Sequence, residues 1–537
     1  MRNLLSTSTG LPVPPSDAFL ALRDNTTSDD PSVYLRRDHF NVDIFPLLNQ
    51  VGFSRETLQL AWDFTVGSTT SITGRLLFMR DDGLSRIPSD GPAYWVTNVV
   101  DQPSTNIRRQ IKGEFSAPYY TNRPGPGSHL VIGSDGNPVF QGYTNVTFSV
   151  NIPNILVDNG VAGLVLQYGH GLFGTQEEIN SGTLTEIAQT FGYVFAATNW
   201  WGMDSFDVPS VTDMLLTNVT NCGIIPDRSQ QGFLNFLILT RLMTGAFATD
   251  PNVIFNGKSV IDPNRIAYNG NSQGGIYGCT FMSVSQDILQ GVLGVPGGPY
   301  ALMLPRSVDF DPYFTIIKAR YSNSIDRISL ISVIQLLWDR SDPVGYFSFT
   351  TQNTLPNTPP KQIAIQYSLG DSQVSWLSAL VMARSMGAYM FPDNVEEDNE
   401  ILFGFPVSSE GVTTAVIQGF EYGAPSVPQT NTPPLEEHDT HSCARKDPRA
   451  QKQMDTLFNT GLINDYCDGP CSEPTDPPVS GSQCQQGQPQ LSHALLWKDP
   501  QFISNLASSI AVSKNGDENE ILVQLQSVSK AVRTNKF

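Results

Sequence analysis

The sequence predicts an α/β protein: a doubly wound, mainly parallel sheet, preceded by a β-rich N-terminal region. Three observations carry this. From about residue 160, short apolar runs end in glycine and are followed by stretches of helical periodicity, repeatedly. The 537 residues are 40% hydrophobic and 15% charged, enough to bury a large core and to form more than one domain. The first 150 residues lack that rhythm and alternate apolar with polar positions between Pro/Gly-rich turns.

Within residues 1–155, Thr57 to Thr65 alternates as a strand and Thr70 to Met79 offers a second. Arg123-Pro124-Gly125-Pro126-Gly127 and Asp135-Gly136-Asn137-Pro138 are turns. In residues 156–471, Ala162 to Tyr168 reads as a buried strand ending in Gly169-His170-Gly171. Thr183 to Phe191 fits a helix, Tyr193 to Thr198 a strand, and Gln230 to Met243 a largely apolar helix. Further strands are expected at Arg265 to Tyr268, Gly291 to Val295 and Ile363 to Tyr367, the last followed by a helix from Val374 to Met386. Residues 298–360 are too long for a loop and rich in Phe, Tyr, Leu and Met. They read either as a cap over the carboxyl ends of the strands or as an ordinary helix pair. Residues 472–537 form a Pro/Gln-rich linker and a tail with helical patches. The acidic cluster Asp393, Glu396, Glu397, Asp398 and Glu400 matches no calcium-loop spacing and reads as a solvated loop.

A formal charge of −19 disfavours nucleic acid and anionic membranes as partners. No uninterrupted apolar run is long enough for a membrane span, and the N-terminus shows no signal-peptide core. Three N-x-[ST] sequons, at Asn25, Asn145 and Asn218, and an even count of six cysteines nevertheless favour an extracytoplasmic location.

The chemistry centres on Gly270-Asn271-Ser272-Gln273-Gly274. It lies between an apolar strand and a run that can begin a helix, the context in which a strained turn exposes a serine Oγ. A serine needs a base in hydrogen-bonding reach and an acid to orient that base, in the chain order serine, acid, histidine. Asp371 follows a strand about a hundred residues later. Asp342, in the candidate cap, is its rival. Of the six histidines, His39, His129 and His170 precede the serine and His493 lies in the tail, leaving His438 and His441 ahead of a helix from Arg449 to Phe458. His441, nearer that helix, is assigned as the base, with His438 the alternative. Gly169-His170-Gly171 occupies the position of an oxyanion loop. Its backbone donors would be the Leu172 N–H and, directly after the nucleophile, that of Gln273. His170 is then structural. Trp200 and Trp201 are candidates for an apolar substrate pocket, with core packing the alternative role and, for Trp201, an equal one.

His170-Gly171-Leu172, the Gly-x-Ser-x-Gly turn, Gly370-Asp371 and His441 together resemble an α/β-hydrolase of the serine lipase/carboxylesterase type, over about residues 160 to 470. Longer blocks are similar to a group of large bacterial-type α/β-hydrolases: Thr198 to Met203, Gly294 to Gly298 with Leu304-Pro305-Arg306-Ser307, Gly370 to Val374, and Cys467-Asp468-Gly469-Pro470-Cys471. The single-glycine oxyanion loop is similar to that of lipases and many carboxylesterases. It departs from the Gly-Gly-Gly type linked to bulky or tertiary alcohol esters. The resemblance implies hydrolysis of small-molecule or lipid esters through an acyl-enzyme, without cofactor or metal. Alternatives are a non-catalytic binding protein of this fold, or a transacylase, peptidase or carbon–carbon hydrolase. Cys467 and Cys471 read as a disulfide or free thiols rather than, with Cys484 and His493, a zinc site. Cys279 reads as a core residue.

Overall fold

A computed structural model describes residues 1–6, 8–394, 402–423, 439–472, 497, 499–514 and 518–533. The acidic run from Glu396 to Glu400, the alternative base His438, and Cys484 and His493 lie outside the described residues.

Residues Met1–Ser68 form a unit of their own, and it is helical. Ser16 caps the helix Asp17–Asp24 by accepting the Phe19 N–H, and Asn25 ends it in the left-handed region. Asp30 and Pro31 start Pro31–His39 in the same way. Phe19, Leu22, Val33, Phe40 and Phe45 make a small core. The strand expected over Thr57 to Thr65 is absent. Leu58 is buried, whereas Trp62 and Phe64 are exposed with no neighbouring strand to complete a face.

Thr69 opens the second unit. The other expected strand, Thr70 to Met79, is part of the helix Thr69–Ser85. Its buried positions Thr73, Leu76, Met79 with Arg80, and Gly83 recur every three to four residues, a helical spacing that the β-type composition concealed. The β-rich part of the N-terminal region is Tyr94–Asp101 (β1), Ile107–Tyr119 (β2) and Gly142–Pro153 (β3). This antiparallel meander is not an appendage: β3 pairs antiparallel with Tyr193–Thr198 (β5), which places it at one edge of the main sheet. The remaining strands of the main sheet are Gly163–Gly169 (β4), Ile261–Asn271 (β6), Gln290–Gly294 (β7), Gln362–Ser368 (β8), Tyr389–Met390 (β9) and Ala415–Phe420 (β10). The order across the ten-stranded sheet is β1-β2-β3-β5-β4-β6-β7-β8-β10-β9. From β5 to β9 every neighbouring pair is parallel. β4 and β5 are buried along their whole length, as strands covered on both faces must be.

The helix Ile224–Thr244 is buried on nearly every side. The stretch Val219–Thr249 is long and apolar enough to cross a bilayer, but most of it lies inside the protein. Among its buried polar side chains, Gln231 is fully engaged: it accepts the Tyr120 N–H and donates to Pro118 O and Asn235 Oδ1. Residues 298–360 contain the helices Asp311–Arg320 and Ser324–Trp338 with short helical turns around them. Two tail helices, Pro500–Lys514 and Glu518–Arg533, pack together. The first lies against Val208–Thr217 and the second against Asp311–Arg320.

Candidate active site

β6 ends at Asn271 and the helix Gln273–Val284 begins two residues later, with Ser272 between them at φ 60° and ψ −124°. A non-glycine residue is held there only where its surroundings over-determine the turn. They do: the Ser272 N–H donates to Gly294 O at 3.0 Å, and Tyr268 Oη donates to Gly274 O at 2.5 Å. A Cβ on Gly270 would stand 2.5 Å from Gly274 O, and one on Gly274 would collide with the carbonyl of Gly169 in β4. Gln273 is the first helical residue, so its N–H has no partner one turn back.

β6, β7, β8 and β10 lie side by side in parallel, so the segments leaving their carboxyl ends share one edge of the sheet. Asp371 follows β8 after Gly370, whose φ of 81° makes the turn. Asp371 Oδ1 accepts the N–H groups of Gln373 and Val374 at 2.9 and 2.8 Å, and Oδ2 accepts from His441 Nδ1 at 2.8 Å. The structure thus brings together the aspartate and the histidine that the sequence singled out. His441 Nε2 is buried and has no hydrogen-bond partner among the described residues. Burial opposes protonation of His441. The Asp371 carboxylate outweighs it and holds the imidazole pKa above its ordinary value, with Asp439 acting the same way and Arg445 against.

Asp342, the rival acid, is spent elsewhere. It accepts the N–H groups of Tyr300 and Val344 and the Gln335 amide, and burial pushes its carboxyl up to about 6. His170 is held at both nitrogens: Nδ1 donates to Gly171 O and Nε2 accepts the Trp200 N–H, each at 2.8 Å. Burial pushes its pKa down to about 4, so it is a neutral strut of the loop.

That loop runs beside the serine. A Cβ on Gly171 would sit 3.9 Å from Ser272 Cβ. Gly171 to Gly174 make a tight turn with Phe173 at φ 48°. Three of its four amides are engaged: Gly171 N–H donates to Glu178 Oε2, Phe173 N–H to Met203 O and Gly174 N–H to Gly171 O. The Leu172 amide takes part in none of these bonds.

Sequence reasoning missed three supporting groups. Asp439 Oδ1 accepts the N–H groups of Ser372 and His441, and its Oδ2 accepts the Gln373 amide, tying the aspartate segment to the histidine segment. An acid two residues before the candidate base was the available signal. Glu178 and Arg445 form a buried ion pair at 3.1 Å. Their positions carried no local signal.

The pocket assignment of Trp200 and Trp201 is overturned. Trp200 is fully buried and stacks on Phe236 with centroids 3.4 Å apart. Trp201 lies under the Arg228 guanidinium at 4.3 Å. Both belong to hydrophobic core clusters, Trp200 with Phe233, Phe236 and Tyr277 and Trp201 with Leu234 and Ile238. A cavity of about 70 Å³ lies elsewhere, with Leu172 and Phe173 on one wall and Leu304, Tyr313, Ile331 and Trp338 from residues 298–360 on another. Cys467 and Cys471 are joined in a disulfide, which removes both thiols as metal ligands. Cys279 is buried in the helix after Ser272, where burial pushes its thiol up to about 12.

The sheet order, an antiparallel strand flanking a parallel series, is combined with a serine on a strained strand-to-helix turn. Aspartate and histidine segments follow in that order. The chain has the α/β-hydrolase fold. No family model matches the sequence, and no curated protein matches it. Distant likenesses exist among solved structures. Acetyl xylan esterase 1 from Thermoanaerobacterium sp. JW/SL YS485 is 11% identical with a TM-score of 0.37, over 70% of this chain and 95% of that one. A glucuronoyl esterase from Teredinibacter turnerae T7901 is 10% identical with a TM-score of 0.32, over 67% and 82%. An S-formylglutathione hydrolase from Agrobacterium tumefaciens is 12% identical with a TM-score of 0.29, over 67% and 96%. Likenesses this distant are silent on substrate.

Proposed function

We propose that the protein is a serine hydrolase that cleaves carboxylic esters through an acyl-enzyme on Ser272. The observation that carries the reading is the buried Asp371–His441 hydrogen bond with Nε2 left unpartnered, at the same sheet edge as a serine on a strained turn. Because Nδ1 carries the proton given to Asp371, Nε2 presents a lone pair. It takes the Ser272 Oγ proton as Oγ bonds to the ester carbonyl carbon. The carbonyl oxygen, now negative, is held by the N–H groups of Leu172 and Gln273. Collapse expels the alcohol, which receives the proton from Nε2. Water then attacks the acyl-enzyme by the same route and releases the acid.

The apolar cavity beside Leu172 supports an apolar acyl or alcohol group, because a polyol there would lose its hydrogen bonds to water without replacement. A fluorophosphonate probe is expected to label the wild-type protein and not Ser272→Ala; absence of labelling in the wild type refutes the reading. A chain-length series of nitrophenyl esters, assayed beside matched amides, then separates ester hydrolysis from peptidase chemistry. It also separates short-chain from long-chain preference.

A further inference from the structure

Glu178 is a buried carboxylate beside a position where negative charge would develop, an arrangement that needs a reason. Its side chain is 9% exposed, and that of its partner Arg445 is 8% exposed. Oε2 accepts the Gly171 N–H at 2.7 Å, while Oε1 accepts from Tyr168 Oη at 2.9 Å and from Arg445 Nη1 at 3.1 Å. Tyr168 Oη in turn accepts from Nδ2 of Asn271, the residue before Ser272, at 3.5 Å. One carboxylate therefore meets the oxyanion loop, the end of β4, the approach to the nucleophile and the segment carrying His441.

We infer that Glu178 and Arg445 are positioning residues that set the oxyanion loop and lock it to the histidine segment. The reading rests on the esterase assignment above. By accepting the Gly171 N–H, Glu178 fixes the orientation of the peptide that precedes Leu172, so that the next amide, Leu172's, is the one left for substrate. An uncompensated carboxylate there would repel an oxyanion. Arg445 supplies the compensating charge. Burial works against the Glu178 charge, but the guanidinium and the Gly171 amide outweigh it and hold the carboxyl below its ordinary range. The same guanidinium acts on His441, against the carboxylates of Asp371 and Asp439. The pair therefore couples two parts of the site that, among the described residues, share no hydrogen bond of their own.

The test is a double-variant cycle on the full chain with Glu178→Gln, Arg445→Met and both together. It reads kcat, KM, inhibition by n-butylboronic acid as a mimic of the tetrahedral intermediate, and the pH profile of kcat/KM. Glu178→Gln keeps an acceptor for Gly171, so kcat falls about tenfold or less. It also removes the carboxylate charge that offsets the Arg445 guanidinium near His441, which moves the acid limb of kcat/KM to lower pH. Arg445→Met leaves the carboxylate unpaired, and kcat falls on the order of 100-fold with KM nearly unchanged and boronate affinity reduced in parallel. The double variant recovers most of that loss.

Additive losses, or an acid limb that does not move in Glu178→Gln, overturn the proposal while wild-type turnover keeps the esterase reading intact. Failure of the wild type to hydrolyse esters overturns that reading instead. Should Arg445→Met not fold, the limb of Glu178→Gln decides alone.

Discussion

Gly274→Ala is expected to damage the protein in two ways, and Gly171→Ala in neither by sterics. A Cβ on Gly274 collides with the carbonyl of Gly169, which is backbone of β4 and cannot rotate aside. Clearing the overlap needs a shift on the order of 1 Å between the helix Gln273–Val284 and β4, and overpacking of this kind costs about 1–3 kcal/mol. The shift also strains the bond from Tyr268 Oη to Gly274 O, worth about 1 kcal/mol. The expected destabilisation is therefore about 2–4 kcal/mol, read from the midpoint of urea unfolding. Because Gly169 leads straight into the oxyanion loop, a displacement of that size should lower kcat/KM by about 100-fold. A Cβ on Gly171 would meet only Glu178 Oε2 at 3.6 Å and Ser272 Cβ at 3.9 Å, ordinary contacts, so Gly171→Ala should stay within about 0.5 kcal/mol of wild type. If Gly274→Ala unfolds at the wild-type midpoint, or Gly171→Ala is destabilised as much, the steric account of the turn is wrong.

Three further outcomes follow. The raised pKa of His441 means that kcat/KM should fall with acid through a limb centred above pH 6.5; Asp371→Asn should move that limb to lower pH and cost about 10⁴ in kcat, and a wild-type limb below 6.5 contradicts the pairing. His170, folded pKa about 4 against 6.5 unfolded, binds more protons when unfolded, so stability should drop as pH falls from 6.5 towards 4, by about 3 kcal/mol. Urea titrations across that window, with the His170 resonances followed by NMR, check it. Trp497→Ala should cost about 3–5 kcal/mol in urea unfolding and shift ester preference towards longer chains, because the buried Trp497 ring packs edge-on to Tyr313 in the pocket wall at 5.7 Å.

What was legible in the sequence was what local backbone geometry dictates. Gly270 and Gly274 flank Ser272 because a side chain at either would strike a neighbouring segment, and a constraint of that kind leaves a fixed spacing. Asp371 was singled out because it follows the end of a strand whose apolar run was readable, and His441 because it lies ahead of a readable helix and the other described histidines precede the serine. The Glu178–Arg445 pair was not, since its members are 267 residues apart and each looks like an ordinary surface charge in its own segment. Trp200 and Trp201 misled for the converse reason: aromatic character marks burial, and only packing on Phe236 and Arg228 shows that they face the core. The helix Thr69–Ser85 was hidden by threonines and a serine that suggested extended chain, although its buried positions recur at helical spacing.

On the proposed reading, in which the apolar cavity takes the ester chain, its two-layered wall places control of chain length away from the proposed triad. The inner layer includes Val211 and Met214 of the helix Val208–Thr217 and Tyr313 and Ile317 of the helix Asp311–Arg320. Against those two helices pack Pro500–Lys514 and Glu518–Arg533 respectively, sharing one core with them through Leu506, Ile510 and Leu525. Inner-layer side chains can yield only as far as the outer layer lets them, because a close-packed wall moves as a unit. Ser272, Asp371 and His441 are set instead by strand ends and by Asp439, none of which belongs to either layer. Substitutions in the tail should therefore retune which ester is accepted while leaving the rate constant for the best-fitting ester nearly intact.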